Sequence, residues 1–151
     1  EGGWTMDDSL VLSRALVEHG VDLVDCSSGG NMRSGATNSS LGRGPGYQVP
    51  FARQIRSEIK TPTAAVGMIR TPEFAEKILS DGSADLIFIG RQALFNPFWA
   101  RHAAEALGVN QNFEDWPPQY GWWLEKWNRA LEANQETPMG PEVFPSAATT
   151  V

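Results

Sequence analysis

The sequence predicts an α/β fold in which short parallel strands alternate with helices. Residues 63–66 and 84–89 are apolar runs containing β-branched and aromatic side chains, and each is followed at once by a glycine, Gly67 or Gly90. Between the two runs, apolar residues recur at three- and four-residue spacing, which is typical of a helix with one buried face. The three segments therefore form a strand–helix–strand unit, the connection that joins parallel strands.

The first third of the chain adds further elements before this unit. Thr5 or Asp7 is placed to cap a helix over residues 8–18, whose apolar side chains form one stripe. Residues 21–26 follow as an apolar strand interrupted by two aspartates. A second helix is predicted over residues 49–59, so that helix and strand alternate.

The second half of the chain continues the alternation. A helix begins near Pro72, since proline suits the first turn of a helix. After the strand at residues 84–89, Asn96 is the expected N-cap of another helix, which ends at Leu107. The chain is then crowded with aromatic side chains, namely Phe113, Trp116, Tyr120, Trp122, Trp123 and Trp127.

Length and composition predict one domain with a tail. A chain of 151 residues suits one domain with a sizeable core, which we place at residues 1–130. From residue 131 onward Pro, Ala, Thr and Glu dominate, so residues 131–151 are predicted to be disordered. The first residue is not methionine, and we expect the chain to begin at a cut or processed end.

Charge and cysteine content narrow the class of protein. The formal net charge is −6 without a basic patch, so neither a nucleic acid nor an anionic membrane surface is an expected partner. A single cysteine excludes an internal disulfide framework, and zinc-site spacing is absent, so we expect no metal site and a cytoplasmic location. No apolar run reaches the ~18 residues of a membrane span, and no signal peptide is recognisable.

Two strand ends form a candidate anion site. A lone glycine after a strand is as readily explained by a turn that needs positive φ. Gly67 and Gly90, however, end two successive parallel strands, and Arg91 adds a planar, permanently charged guanidinium. Backbone N–H groups beside such glycines, together with the arginine, suit a phosphate, whereas Arg70 is expected to be a solvated surface residue.

Four motifs, in this order, resemble the C-terminal half of an old yellow enzyme. They read DLVDCSSGG at residues 22–30, GPGYQVPFA at 44–52, AVGMI at 65–69 and ADLIFIGRQALFNPFWA at 84–100. Within that family they are most similar to the bacterial-type branch of xenobiotic reductases and NADPH dehydrogenases. The resemblance covers roughly residues 1–127.

The resemblance implies a fold and a cofactor. The fold is the C-terminal half of a TIM (β/α)8 barrel, about the last three strands with their helices, because a whole barrel needs ~250 residues. The cofactor is FMN, with NADPH or NADH as the reductant and an activated alkene, a quinone or a nitro compound as the substrate. This chain then supplies the FMN-phosphate half of the site, through Val66, Gly67, Met68, Gly90 and Arg91.

Other parts of the family's site have no counterpart here. The histidine pair that binds the substrate carbonyl and the proton-donating tyrosine belong to earlier strands, so no catalytic residue is assigned. His19 and His102 lie on predicted helices and are interpreted as surface or packing residues. Cys26 is interpreted as a small buried side chain, since the family's redox-tuning cysteine belongs to the first strand. Residues 27–46 are predicted to form a long loop, which the resemblance places near the active-site mouth, with an insertion at residues 35–41 relative to the commonest family length.

The aromatic segment has two interpretations. In related enzymes a C-terminal arginine or tryptophan of one subunit caps the substrate pocket of its neighbour. Trp123, with Trp122, falls at the matching place, which implies a homo-oligomer. Packing within a helix is the other interpretation.

Two alternative functions remain open. The first is the FMN barrel of a dienoyl-CoA reductase-like enzyme, although such enzymes bind an iron–sulfur cluster through several cysteines and this chain has one. The second is a non-catalytic half-barrel that binds phosphate or associates with a partner through its edge strands and an uncovered apolar face.

Overall fold

The computed structural model describes residues 3–29, 44–109 and 112–136. In chain order its elements are α1 (Met6–Glu18), β1 (Val24–Cys26), α2 (Val49–Ile59), β2 (Thr63–Ala65), α3 (Pro72–Ser80), β3 (Leu86–Ile87), α4 (Arg91–Phe95), α5 (Trp99–Ala106) and α6 (Pro118–Ala133). The described residues divide into two compact units. The first lies within Glu1–Ile69 and Phe74–Ile89, and the second within Arg70–Glu73 and Gly90–Val151.

The first unit contains an open sheet of three parallel strands in the order β1-β2-β3. Val24 is paired with Thr63, and Ala65 is paired with both Cys26 and Ile87. The predicted alternation of helices with parallel strands is therefore confirmed, and the arrangement is consistent with part of a TIM barrel. All three strands end at the same edge of the sheet, which brings the residues that follow β1 and β2 to one side of the unit.

The strands are shorter than predicted. The predicted strands at residues 21–26 and 84–89 contain β1 and β3, which are three and two residues long. Their partner β2 has three residues, of which all three pair with β1 and two pair with β3. Strand length is set by the partner's hydrogen bonds, which a run of apolar residues does not specify.

Helix α1 begins at Met6, two residues before the predicted range of 8–18, and Thr5, one of the two predicted caps, forms a reciprocal cap there. The hydroxyl of Thr5 accepts a hydrogen bond from the N–H of Asp8, while the Asp8 carboxylate accepts from the N–H of Thr5 at 2.8 Å. These bonds satisfy backbone donors that the first turn leaves unpaired. The Thr5 hydroxyl also donates to the Asp8 carboxylate at 2.6 Å, and this bond, together with that from the N–H of Thr5, holds the pKa of Asp8 below its ordinary value.

The core of the first unit lies where α2 packs on the sheet. Every residue of β2 is buried, and the small side chains of Ala64 and Ala65 allow the helix to approach closely. Ala52 and Ile55 are the buried side chains in the middle of α2. Pairing an amphipathic helix with a strand of small residues thus buries both.

The start of α5 differs from the prediction. The structure has a short helix α4, which was not predicted, and α5 begins at Trp99 with Phe98 as its N-cap. Asn96 is the C-cap of α4, so its predicted role as the N-cap of the next helix was wrong. Its side-chain oxygen accepts a hydrogen bond from the N–H of Phe98 at 3.1 Å, the two-residue turn that asparagine often forms.

The aromatic segment forms most of α6. Its helix runs to Ala133, so the domain boundary predicted at residue 130 falls inside a helix. The remainder of the predicted tail, residues 137–151, lies outside the described residues, as does the predicted insertion at 35–41. In the described part of the chain, no helix is both long enough and apolar enough to cross a membrane.

Candidate phosphate-binding site

The turn after β2 has an uncommon backbone conformation. Gly67 has φ +124°, and Met68, which follows it, has φ +53°. A non-glycine residue at positive φ is uncommon, because its Cβ crowds the backbone. Strained residues of this kind concentrate at binding sites, where the surrounding structure holds them.

Gly67 is also enclosed by its neighbours. A Cβ atom added there would lie 3.1 Å from the ring of Tyr47 and 3.2 Å from Nε2 of Gln48. Both residues come just before α2, and they lie 20 and 19 residues before Gly67 in the chain. Position 67 therefore needs glycine for two reasons: its positive φ angle and the closeness of the Tyr47 and Gln48 side chains.

Two hydrogen bonds fix the direction of this turn. The carbonyl of Val66 accepts from Nε2 of Gln48 at 3.5 Å, and the carbonyl of Gly67 accepts from the N–H of Gly46 at 2.7 Å. In a trans peptide the N–H points opposite to the carbonyl, and no described peptide bond is cis. The N–H groups of Gly67 and Met68 consequently both point away from the segment that holds Gly46 and Gln48.

These two N–H groups are available to a ligand. Within residues 3–29, 44–109 and 112–136, neither the N–H of Gly67 nor that of Met68 donates to another residue. Successive N–H groups that point to one side form a concave site for an anion. The geometry of the turn thus fits a phosphate, which is the ligand that the sequence predicts here.

Gln48 also connects this turn to the end of β1. Its Oε1 accepts hydrogen bonds from both the N–H and the hydroxyl of Ser28, the latter at 2.8 Å. Its side chain is 3% exposed, so the amide is removed from water with both ends hydrogen-bonded. Sequence reasoning did not single out Gln48, although its place after Gly-Pro-Gly and before an apolar helix marks it as a polar residue in a buried setting.

The other predicted phosphate ligands belong to the second unit. Arg91 is the first residue of α4, and its side chain is exposed. Gly90 is the N-cap, with φ −101° and ψ −91°, and a Cβ there would meet nothing within 4 Å. At Gly67 both a positive φ and close neighbours require glycine. At Gly90 φ is negative and a Cβ would have room among the described residues, so neither reason applies.

The chain matches a known family over most of its length. A model of the NADH:flavin oxidoreductase / NADH oxidase family matches residues 3–110. The chain belongs to this family.

Several curated members of this family are similar to the chain. An NADPH dehydrogenase of Geobacillus thermodenitrificans (strain NG80-2) is 44% identical over 122 residues, which is 80% of this chain and 34% of the relative. An NADPH dehydrogenase of Bacillus subtilis (strain 168) is 46% identical over 107 residues, or 71% of this chain and 30% of the relative. A third, from Halalkalibacterium halodurans, is 44% identical over 109 residues, or 72% and 31%. The chain thus spans about a third of the length of the curated relatives it matches.

The two histidines of the chain make contacts with residues close to them in the sequence. Nδ1 of His19 is 2.7 Å from the carbonyl of Ala15 at the exposed end of α1. His102 lies against Asn96 at 2.9 Å, and its ring centroid is 5.6 Å from that of Trp116. Both histidines therefore have the surface and packing roles that their positions predict.

Cys26 and Arg70 also have local roles. Cys26 is buried at the end of β1, and burial raises the pKa of its thiol to about 11, with a further contribution from the negative charge of Asp25. This thiol is un-ionised at neutral pH, as expected for a small buried side chain. Arg70 is exposed, and its carbonyl accepts a hydrogen bond from Nε1 of Trp99 at 3.1 Å.

The two tryptophans proposed as a pocket cap lie on α6. Their ring centroids are 4.6 Å apart in an edge-to-face arrangement, and both side chains are more than half exposed. Nζ of Lys126 lies 5.2 Å from the ring of Trp122 and 5.0 Å from that of Trp123. Helix packing therefore accounts for little of the surface of Trp122 and Trp123, and their role as a cap stays a prediction.

The second unit contains a cleft that sequence reasoning did not predict. It has a volume of about 300 Å³ and is lined by Ala100, Arg101, Ala104, Glu105, Asp115 and Trp116. The Arg101 guanidinium lies 5.6 Å from the centroid of the Trp116 ring, whose Nε1 donates to Glu105 at 3.2 Å. None of the predicted phosphate ligands or cap residues lines this cleft.

Proposed function

We propose that this chain is the FMN-phosphate-binding part of an FMN-dependent NAD(P)H oxidoreductase of the ene-reductase or NADPH dehydrogenase type. One observation carries the proposal. In a chain of this family, the turn that follows β2 presents the N–H groups of Gly67 and Met68 together, with their carbonyls bound on the opposite side. Two oriented donors next to a buried strand suit a phosphate.

Each predicted ligand has a defined task in this function. The backbone N–H groups of Val66, Gly67 and Met68 hold phosphate oxygens at the end of β2. The N–H groups of Gly90 and Arg91 do so after β3, and the exposed guanidinium of Arg91 neutralises the phosphate charge. FMN, when bound, supplies the hydride chemistry by which NADPH or NADH reduces an activated alkene, a quinone or a nitro compound.

We further propose that the fold is the C-terminal half of a TIM barrel. The exposed side chains of the sheet support this. Leu86 in β3 is 48% exposed, and Phe88, one residue beyond β3, is 41% exposed. Apolar side chains on a parallel sheet are normally covered, and in a barrel the remaining strands cover them.

The same apolar face suits the alternative of a half-barrel that associates with a partner. A chain that completes the barrel would bury Leu86 and Phe88 without any catalysis by this chain. Flavin binding separates the two functions, because the partner-binding alternative does not require FMN. The dienoyl-CoA reductase-like alternative is weaker, since the similar relatives are named NADPH dehydrogenases.

The test is FMN binding by the chain, followed by the quenching of flavin fluorescence. We expect Arg91→Ala to weaken FMN binding by about tenfold or more, the usual effect of losing a hydrogen bond to a charged group. Riboflavin, which lacks the phosphate, should bind equally to both proteins. Arg14→Ala removes an exposed arginine of α1 and is the matched control. No FMN binding by the unchanged chain, or an equal effect of the two substitutions, would contradict the proposal.

Trp123, with Trp122, is proposed as a cap over the substrate pocket of a neighbouring subunit in a homo-oligomer. Their exposure supports this, because both rings are available for a contact outside the chain. In a full-length enzyme that carries this segment, Trp123→Ala should raise KM for the alkene and leave the rate of flavin reduction by NADPH unchanged. Trp127→Ala, which alters an equally exposed tryptophan of α6, is the control.

A further inference from the structure

We propose that Gln48 is a positioning residue for the flavin phosphate: its side-chain amide orients the peptide groups of the turn after β2 and so aims two N–H donors at the anion. This inference rests on the proposed function, because it concerns the same site. It assigns to Gln48 a task that no motif predicts. Gln48 does not touch the phosphate and acts through the backbone of Val66 and Gly67.

The contacts of Gln48 use the two ends of its amide in different ways. The oxygen accepts from the N–H and the hydroxyl of Ser28, which lies two residues beyond β1. With the oxygen occupied, the nitrogen faces the carbonyl of Val66, one residue beyond β2, at 3.5 Å. A single buried side chain thus joins the ends of two neighbouring strands, at the edge where the proposed ligand binds.

Peptide geometry converts this contact into the direction of the donors. The carbonyl of Val66 and the N–H of Gly67 belong to one planar trans peptide, so holding the carbonyl toward Gln48 turns the N–H away from it. The next peptide is held in the same sense by the N–H of Gly46, at 2.7 Å from the carbonyl of Gly67. Both free donors therefore point to one side, and reversal of either peptide would remove a donor and present a carbonyl to the anion.

A role in the helix itself does not account for this side chain. Gln48 stands at the N-cap of α2, yet its side chain makes no capping hydrogen bond. If packing were the only task of Gln48, an apolar side chain of the same length would fill the same buried space without an amide that needs hydrogen-bond partners. Instead, the oxygen of the amide bonds to Ser28 after β1 and its nitrogen bonds to Val66 after β2, and contacts of this kind fix the direction of a turn.

Two substitutions separate the functions of the amide. Gln48→Glu keeps an acceptor for Ser28 but removes the donor that faces the Val66 carbonyl. Gln48→Met has a similar shape and removes both functions without adding charge. Gln54→Met, on the same helix, makes the same change at a glutamine whose amide bonds to Glu58 in an exposed setting, and is the matched control.

The decisive measurement is the ratio of the dissociation constants for FMN and riboflavin. Loss of donor orientation should weaken FMN binding by about tenfold for Gln48→Glu and for Gln48→Met, with riboflavin binding unchanged, because riboflavin has no phosphate to lose. Gln54→Met should leave both constants unchanged. A general loss of folding lowers both affinities together, so the ratio distinguishes positioning from stability.

Several results would overturn the inference. Equal weakening of FMN and riboflavin would show that Gln48 only supports the fold. A selective loss confined to Gln48→Glu would show repulsion by the new carboxylate, since Gln48→Met adds no charge. An unchanged ratio in both variants would show that the turn keeps its direction without the amide.

A second readout keeps failure of the inference distinct from failure of the proposed function. Titration with inorganic phosphate should shift the ¹H–¹⁵N resonances of Gly67 and Met68, and the shift should be lost in both Gln48 variants. If the unchanged chain does not bind FMN but shows this phosphate response, the proposed function fails and the positioning role of Gln48 stands. If neither FMN nor phosphate affects these resonances, the inference fails as well.

Discussion

Thr63 and Asp85 are joined by two reciprocal hydrogen bonds at the start of β2. The N–H of Thr63 donates to Oδ2 of Asp85 at 3.0 Å, and the N–H of Asp85 donates to the carbonyl of Thr63 at 2.9 Å. The same carboxylate oxygen accepts from Nε of Arg56 on α2 at 2.9 Å. One aspartate therefore connects the segment before β3 to β2 and to the helix that covers the sheet.

Removing this carboxylate should destabilise the first unit. Asp85→Ala leaves the N–H of the fully buried Thr63 without its acceptor, which costs about 1–3 kcal/mol. We expect a lower midpoint of urea unfolding, followed by circular dichroism. Asp22→Ala changes an exposed aspartate before β1 and should leave the midpoint unchanged. Equal midpoints for Asp85→Ala and the unchanged chain would show that the carboxylate is not needed.

The same contacts predict how stability depends on pH. The hydrogen bond from Arg56, with that from the N–H of Thr63, holds the pKa of Asp85 below its ordinary value. The folded state thus binds the proton less tightly than the unfolded chain, so the stabilisation is present above the unfolded pKa of about 3.9 and is lost as pH falls through the lowered pKa.

The measurement for this prediction is a series of urea midpoints between about pH 2.5 and pH 7. The midpoint should be steady in the upper part of this range and decline below about pH 4. In Asp85→Asn the decline should be shallower, because one carboxylate with a lowered pKa is gone. Parallel curves for the two proteins would show that Asp85 does not contribute to acid unfolding.

Gly67→Ala should impair both the fold of the turn and the binding of FMN. The new Cβ would require alanine at φ +124° and would stand 3.1 Å from the ring of Tyr47. Strain of this kind costs about 1–3 kcal/mol, and relief of it would rotate the donors of the turn. Gly44→Ala is the control, since a Cβ there meets nothing within 4 Å. If Gly67→Ala matched Gly44→Ala in both stability and FMN affinity, the conformation of the turn would be unimportant.

The thiol of Cys26 should react slowly in the folded protein. With a pKa of about 11, only about one thiol in a thousand is ionised at pH 8, and the side chain is buried as well. Alkylation by iodoacetamide at pH 8 should therefore be at least about a hundredfold slower than in urea at the same pH. Mass spectrometry of timed samples measures both rates, and similar rates would contradict the buried, un-ionised state of this thiol.

The elements of the fold were largely predictable, because each follows from local chemistry. Thr5, one of the two predicted caps, caps α1, and this was predictable because both partners of the cap lie within three residues. The strands at residues 21–26 and 84–89 were correctly placed but too long, because pairing with β2 decides where they stop. The predicted role of Asn96 as the N-cap of the next helix was wrong, because its side chain accepts a hydrogen bond from the N–H of Phe98 in a local turn.

The candidate site was predictable in part. Glycine after β2 is a signal that the sequence displays, and the structure shows why the residue is needed, through its φ angle and its close neighbours. The place of Gln48 after Gly-Pro-Gly marks it only as a polar residue in a buried setting, and its partners Ser28 and Val66 were not predictable, because they are 20 residues before it and 18 residues after it. Contacts of this separation are created by the sheet and are invisible in any short window of sequence.

The sequence by itself determined the family, the alternation of helices with parallel strands, and the place of the glycine turn after β2. It could do so because hydrophobic periodicity, capping and glycine requirements are local properties of the chain. Tertiary structure alone decided where β1 and β3 end, and how Gly46 and Gln48 turn the peptides of Val66 and Gly67. Those outcomes depend on hydrogen bonds between segments far apart in the chain, which form only when α2 packs against the parallel strands.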